Sequence, residues 1–410
     1  ANGKGLIKVL WTKGSLEKNL LYEQWNSFSR ITVKSFNPLI AAKLPFSWGL
    51  GSSYKPEREM EHLWLDIDSA AGTPLTPFTG DTAELEHLSF DVNSVAHHLR
   101  KDARVLVVGV GGGIDLLSAL AFDQKSVEGV EINESIIQAL TGPFAEYTGH
   151  LGQHPKVTLV NDEARSFIER QQTKYDIIQI SLIDTFAASS AGAFVLSEHS
   201  LYTVEAWKLF LSRLNERGIL SVTRWYGEST PVQTYRTVSL AVEALQQLGV
   251  KNAKEHILVL TNKRHPYLPA MAPVATVLLS KEPFSPADLR AVRAVVEQSG
   301  FNVVYLPGEA KDAVVNTLIT QNAAQLKSEY PFNLEAPTDD KPFFFYFLKL
   351  KTFLNREALA SSAFDEQAKA VSVLYTLLIL VSVLSYLCII VPLRSFKSKA
   401  PKNVRRRNLA

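Results

Sequence analysis

An almost wholly apolar strand, Arg104–Val110, runs into the glycines Gly109, Gly111, Gly112 and Gly113, and the helical pattern Ile114–Phe122 follows at once. Few segments restrict a fold so strongly. An apolar run without alternation is a strand covered on both faces, which in a chain of strand–helix units means a parallel sheet. Glycine adopts positive φ and has no Cβ, so the backbone can come close to a ligand there. The helix that begins just beyond presents unpaired N–H groups to the same spot.

The pattern repeats downstream. Strands are expected at Arg104–Val110, Ser126–Ile132, Val157–Val160, Tyr175–Ser181, Gly218–Trp225, His256–Thr261 and Ala275–Leu279. Helices are expected near Ile114–Phe122, Glu134–Leu140, Ala164–Arg170, Thr203–Leu214 and Val232–Leu248. The fold class is therefore α/β: a Rossmann-like fold of the S-adenosylmethionine-dependent transferase type, with a seven-stranded, mostly parallel sheet. Helix Pro286–Ser299, strand Asn302–Leu306 and helix Ala313–Leu326 make a further unit. Before the sheet, Leu6–Trp11, Arg30–Phe36 and His62–Ile67 are short apolar runs among prolines and glycines, a small β-rich lead-in, and Leu88–Leu99 reads as a connecting helix. The expected division is a lead-in at 1–100, the Rossmann-like domain at 101–282 and the added α/β unit at 283–350. A linker at 351–369, a transmembrane helix at 370–393 and a basic tail at 394–410 complete it.

The last two segments follow from charge. Ala370–Leu393 is 24 residues without a charge, enough at about 1.5 Å per residue to cross a hydrocarbon core of roughly 30 Å. Arg394, Lys397, Lys399, Lys402 and Arg405–Arg407 come next. Without them the chain holds 36 basic and 41 acidic groups, a mildly acidic body that gives no footing for nucleic acid. The tail predicts a cytoplasmic C-terminus, whereas a nucleoside co-substrate argues for a cytoplasmic body. An opening without methionine and an end soon after one span fit a processed chain or a piece of a longer one. The single cysteine, Cys388, lies in the span, which excludes a disulfide framework, a thiolate zinc site and a cysteine nucleophile from the body.

Three strand ends carry the candidate chemistry. Glu131 closes the second strand 18 residues after Gly113, where a carboxylate accepts from both hydroxyls of a ribose. Asp162 follows the third strand and has two readings, a partner for an adenine amino group or the N-cap of Ala164–Arg170. Ser181 and Asp184 follow the fourth, where a transferred group would lie, and Asp184 can orient an amine or take its proton. The loop Ala187–Ala193 is a candidate lid. His97 and His98 read as surface residues beside Arg100 and Lys101, and no metal set is apparent around His150 and His154. The Thr338–Asp340 turn reads equally as a closure over the site and as a polar turn before Phe343–Phe347.

Taken together these segments resemble the spermidine synthase (polyamine aminopropyltransferase) family, and more closely its membrane-bound, spermidine synthase-like bacterial members. The resemblance spans roughly residues 85–350. It rests on Val-Gly109-Val-Gly-Gly-Gly-Ile-Asp115, Val-Glu131-Ile-Asn, Asp162-Glu-Ala-Arg165, Tyr175-Asp-Ile-Ile-Gln-Ile-Ser-Leu-Ile-Asp184-Thr and Gly218-Ile-Leu-Ser-Val-Thr-Arg-Trp225. It implies polyamine-type chemistry, in which decarboxylated S-adenosylmethionine or S-adenosylmethionine is co-substrate and an amine receives an aminopropyl group, without a metal. It also implies a bacterial inner-membrane location and a homodimer. The nucleoside-binding residues would be Gly109, Gly111, Gly112, Gly113, Asp115, Glu131 and Asp162, and the catalytic ones Asp184 and Ser181.

The departures are as informative. The family has Asp where Gly112 stands, although Asp115 lies nearby, and Asp-x-x-Asp-Pro where this chain has Ser181 and Asp184. Its Tyr-His-Glu segment corresponds to His87–Asp91. A polyamine needs several carboxylates to replace its hydration, so putrescine does not carry over as the acceptor. Two alternatives therefore stay open, a methyltransferase on the same fold and a nucleoside-sensing domain without catalysis.

Overall fold

A computed structural model describes residues 9–35 (except 14 and 28), 43–183, 197–349 (except 229, 270, 321 and 322), 352 and 365–394, with side chains of the last segment from 373. The lead-in opens with a short ladder of β1 (Trp11–Thr12) and β2 (Ser15–Leu16). It continues as a four-stranded antiparallel sheet of β3 (Leu20–Trp25), β4 (Arg30–Lys34), β5 (Leu63–Ile67) and β6 (Ala71–Leu75). The sequence does not announce β3 or β6. β3 lacks clean alternation, with Leu21 and Trp25 both exposed, and β6 contains Gly72 and Pro74, tolerable because β6 is an edge.

The expected helix at Leu88–Leu99 is mostly 3-10 structure, Thr82–Phe90 and Val92–Ser94, with only α1 (Val95–Leu99) being α-helical. Asp91 is the reason: its carboxylate accepts the Asn93 N–H at 2.7 Å and restarts the turn there.

Then come β7 (Arg104–Val108), α2 (Ile114–Ala121), β8 (Ser126–Glu131), α3 (Glu134–Thr141), β9 (Val157–Asn161), α4 (Ala164–Arg170) and β10 (Tyr175–Ser181). They are followed by α5 (Val204–Ser212), β11 (Leu214–Trp225), α6 (Val232–Gln247), β12 (Ile257–Thr261) and β13 (Val274–Leu279). The sheet order is β9-β8-β7-β10-β11-β13-β12, with β13 alone among these seven running against the rest. This is the S-adenosylmethionine-dependent transferase arrangement. Two strands extend it beyond the seven expected: β14 (Asn302–Leu306), after α7 (Pro286–Ser299), pairs with β12, and β15 (Glu309–Ala310) pairs with β14. The helix expected at Ala313–Leu326 is two, α8 (Ala313–Thr320) and α9 (Ala323–Glu329).

From β7 the chain winds outward through β8 and β9, then crosses to β10 and winds the other way. The crevice between the carboxyl ends of β7 and β10 is the topological switch point, where open α/β sheets bind ligands.

Behind α6, the buried Arg236 guanidinium donates to the carbonyls of Glu335 (2.9 Å), Phe344 (2.7 Å) and Tyr346 (2.8 Å) and lies under the Phe344 and Phe347 rings. This fixes the aromatic run to the body. The Tyr346 hydroxyl in turn lies 3.0 Å from that of Tyr375 on α10 (Asp365–Ser385). The helical stretch Val373–Arg394 has mean hydropathy 2.6 and no buried residue in its most apolar window, with Tyr375 only partly covered by the body, so by length and composition it can cross a membrane. Arg236→Met is expected to strand three carbonyls and lower the unfolding free energy by about 3 kcal/mol. Thermal or denaturant melts would show it, and an unchanged midpoint would rule out the clamp.

Candidate functional site

Each wall of the crevice comes from a strand end. After β7 the backbone turns through Gly109 (φ +80°), Gly111 (φ +50°) and Gly113 (φ +87°), and Gly113 caps α2. Gly109 has a second reason to lack a side chain: a Cβ there would stand 2.6 Å from Cγ2 of Ile183, just past β10. The ends of β7 and β10 are therefore in direct contact. Gly112 needs no unusual φ but has no room, because a Cβ would lie 1.9 Å from the Pro74 carbonyl oxygen of β6. The lead-in sheet thus presses its edge onto the glycine turn and fills the space that a side chain at Gly112 would need.

Glu131, at the end of β8, is buried and clamps this turn. Its Oε2 accepts the Gly111 N–H at 3.1 Å and its Oε1 the Asn133 N–H at 2.9 Å. Burial pushes its pKa above the usual glutamate value, and four backbone N–H groups pull it back. Of these four, only the Gly111 and Asn133 N–H groups make hydrogen bonds of full geometry, one to each oxygen, which leaves each carboxylate oxygen a second acceptor position for one hydroxyl of a diol. Beside it Ile132 is 49% exposed, an apolar face that the sequence reading did not single out. Asn133 caps α3 and meets the β3–β4 turn, where Asn26 donates to its Oδ1 at 2.7 Å and Ser29 accepts from its Nδ2 at 2.9 Å. The β3–β4 turn and the β5–β6 hairpin therefore both bear on this end of the crevice.

Asp162 follows β9, and its backbone N–H donates to the Glu131 carbonyl at 3.2 Å. The structure overturns the N-cap reading: Glu163 caps α4, accepting from the N–H of Arg165 (2.9 Å) and Ser166 (2.8 Å). Asp162 instead accepts the Glu163 N–H at 2.9 Å and pairs with Arg170. Its backbone is fixed to the end of β8 while its side chain is partly engaged.

At the end of β10, Ser181 is partly exposed and Leu182 adopts φ +50°. A left-handed leucine costs about 1–2 kcal/mol, and such strain collects where a site imposes it. Asp184 and the Ala187–Ala193 loop lie outside the described residues. Asp115 is found inside α2's first turn, buried, with its carboxyl toward Ser181 and Gln179 and not toward Glu131.

The surface reading of His97 also fails. Its ring is fully buried, bonded to Gln179 at 2.9 Å, and stacked on Phe122, and His98 is half-buried against the Ser89 carbonyl. The Thr338–Asp340 turn is more than a polar turn. Asp339 binds Arg165 of α4 and the Thr203 hydroxyl, each at 2.7 Å, so it ties the segment leading to the aromatic run to the helix beside Asp162. Among the described residues, no group of three or more His, Cys, Asp or Glu is placed to hold a metal ion.

Residues 90–248 match the Spermine/spermidine synthase domain. A polyamine aminopropyltransferase of Korarchaeum cryptofilum is 24% identical over 144 residues, 35% of this chain and 42% of that protein. One of Corynebacterium efficiens is 26% identical over 137 residues, 33% of this chain and 25% of that protein. The matches thus span less than half the length of either relative. The crystal structure of a probable spermidine synthase from Corynebacterium glutamicum superposes with a TM-score of 0.44 at 13% identity, covering 75% of this chain and 96% of that one.

Proposed function

We propose, from the match of residues 90–248 to the Spermine/spermidine synthase domain, that the chain is a membrane-held transferase of the aminopropyltransferase type. Decarboxylated S-adenosylmethionine enters the crevice and an amine receives its aminopropyl group. The observation that carries this reading is Glu131, a buried carboxylate at the end of β8 beside the switch point, pinned to the glycine turn with one acceptor position on each oxygen open to a ribose. Gly109–Gly113 forms the floor, Ile132 offers an apolar face to the base, and the Asp162 turn bounds its edge.

The chemistry asks little of the protein. The amine nitrogen attacks the methylene carbon next to sulfur, the C–S bond breaks with its electron pair going to sulfur, and the amine loses a proton. Sulfonium is already an activated leaving group, so alignment supplies most of the rate. This reading gives Asp184 the proton and Ser181 a place beside the transferred group. Membrane anchoring by α10 is part of the proposal, supported by its uncovered apolar surface; protease protection in vesicles reports which side the body faces.

One observation favours a second reading. With Pro74 filling the space at Gly112, the turn lacks an acid for an aminopropyl ammonium, which suits methyl transfer from intact S-adenosylmethionine. Calorimetry of the full chain in detergent decides between donors. Decarboxylated S-adenosylmethionine is expected to bind about 10-fold tighter than S-adenosylmethionine, about 1.4 kcal/mol. The reverse order would favour the methyltransferase, and silence toward both would sink the two readings alike.

A further inference from the structure

Asp115 is a buried carboxyl on which the Ser181 hydroxyl and the Gln179 side-chain amide act, and among the described residues no cation does. Those donors are set by a chain with one polarity. Gln124 accepts the Ala103 N–H at its Oε1 (2.7 Å), so its Nε2 is the donor to the Arg100 carbonyl (2.8 Å) and to Nδ1 of His97 (3.2 Å). His97 is then the Nε2–H tautomer and donates to Oε1 of Gln179 (2.9 Å). Burial holds the ring neutral, its pKa down at about 3. Gln179 is left with its NH2 toward Ser181 (3.3 Å) and Asp115.

Every link delivers a donor toward the Asp115 end, and none delivers a positive charge. A buried carboxylate without a counter-ion costs several kcal/mol, and burial lifts Asp115 to about 6. Asp91, a second buried acid whose charge acts on that of Asp115, accepts the Asn93 N–H at 2.7 Å, and burial pushes its pKa up to about 7. Ser181, partly exposed at the switch point and next to Asp115 in the hydrogen-bond chain, offers a route by which a ligand's positive charge can act on that carboxyl.

We propose that Asp115, acting through Ser181, is the specificity-determining carboxylate for the cationic arm of the bound nucleoside, supplying from α2 the charge that Gly112 and Ser181 lack. The ligand class is a sulfonium nucleoside with an ammonium-bearing side chain. This deepens the nucleoside-binding reading above and rests on it.

The test compares decarboxylated S-adenosylmethionine with methylthioadenosine, the same nucleoside with an uncharged arm, by calorimetry on the full chain. Asp115→Asn is expected to weaken the cationic ligand about 10- to 100-fold and methylthioadenosine by less than about 2-fold. Adding Ser181→Asp to Asp115→Asn is expected to recover most of the loss. Equal weakening of both ligands would make Asp115 structural and overturn the inference. So would retained preference in Asp115→Asn, or no recovery in the double variant while methylthioadenosine still binds. If the unaltered protein binds neither nucleoside, the functional reading falls first and this inference with it.

Discussion

Gly112→Asp is expected to destabilise the protein by about 3 kcal/mol and to abolish any nucleoside binding, even though the spermidine synthases that the chain resembles carry Asp there. The Cβ alone would stand 1.9 Å from the Pro74 carbonyl oxygen and 3.3 Å from the Thr73 methyl. Overpacking a tight contact costs typically 1–3 kcal/mol. Here the obstacle is backbone, which cannot rotate aside like a flexible side chain. A carboxylate would also face a carbonyl oxygen, acceptor against acceptor. The edge of the lead-in sheet must lift, and the turn that Glu131 holds through Gly111 moves with it. A melt and a titration decide the matter together. Unchanged stability with tighter binding of decarboxylated S-adenosylmethionine would show that β6 is free to move.

Glu131→Gln should cost about 100-fold in affinity, near 2.7 kcal/mol, for any nucleoside that enters the crevice. Glutamine keeps one acceptor oxygen, but its NH2 must then face either Gly111 N–H or Asn133 N–H, donor against donor. The ribose loses a charged acceptor at the same time. The pattern across ligands matters as much as the size. A ribose partner weakens decarboxylated S-adenosylmethionine, S-adenosylmethionine and methylthioadenosine alike, whereas Asp115→Asn should separate them. Titration with all three would expose a selective loss, which would move Glu131 away from the ribose.

What could be read in the sequence was what the chain decides locally. β10, α4, α7 and β14 have the bounds their apolar periods predict, and Glu131 and the glycines could be placed because strand ends of this fold share one edge. Features that depend on distant segments were hidden. Nothing near Gly112 in the chain reveals that Thr73 and Pro74 lie on it. His97 looked exposed because Arg100 and Lys101 follow, yet its ring points to Gln179, 82 residues away. A signal for that network did exist: a glutamine within Ile177–Ile178–Gln179–Ile180 must find partners once the strand is buried. The choice of Glu163 over Asp162 as cap was a one-residue matter that composition cannot resolve, since both side chains accept.

The contact between Pro74 and Gly112 also constrains the order in which this site can change. An acid at position 112 is harmful while β6 stays where it is and acceptable only after the hairpin has shortened or shifted. The same substitution thus changes sign with its background, and only one of the two mutational orders avoids a defective intermediate. A lineage that gained or lost the acid would have had to remodel a strand some forty positions upstream first or last, so variation at 73–74 and at 112 should be inherited as a linked pair.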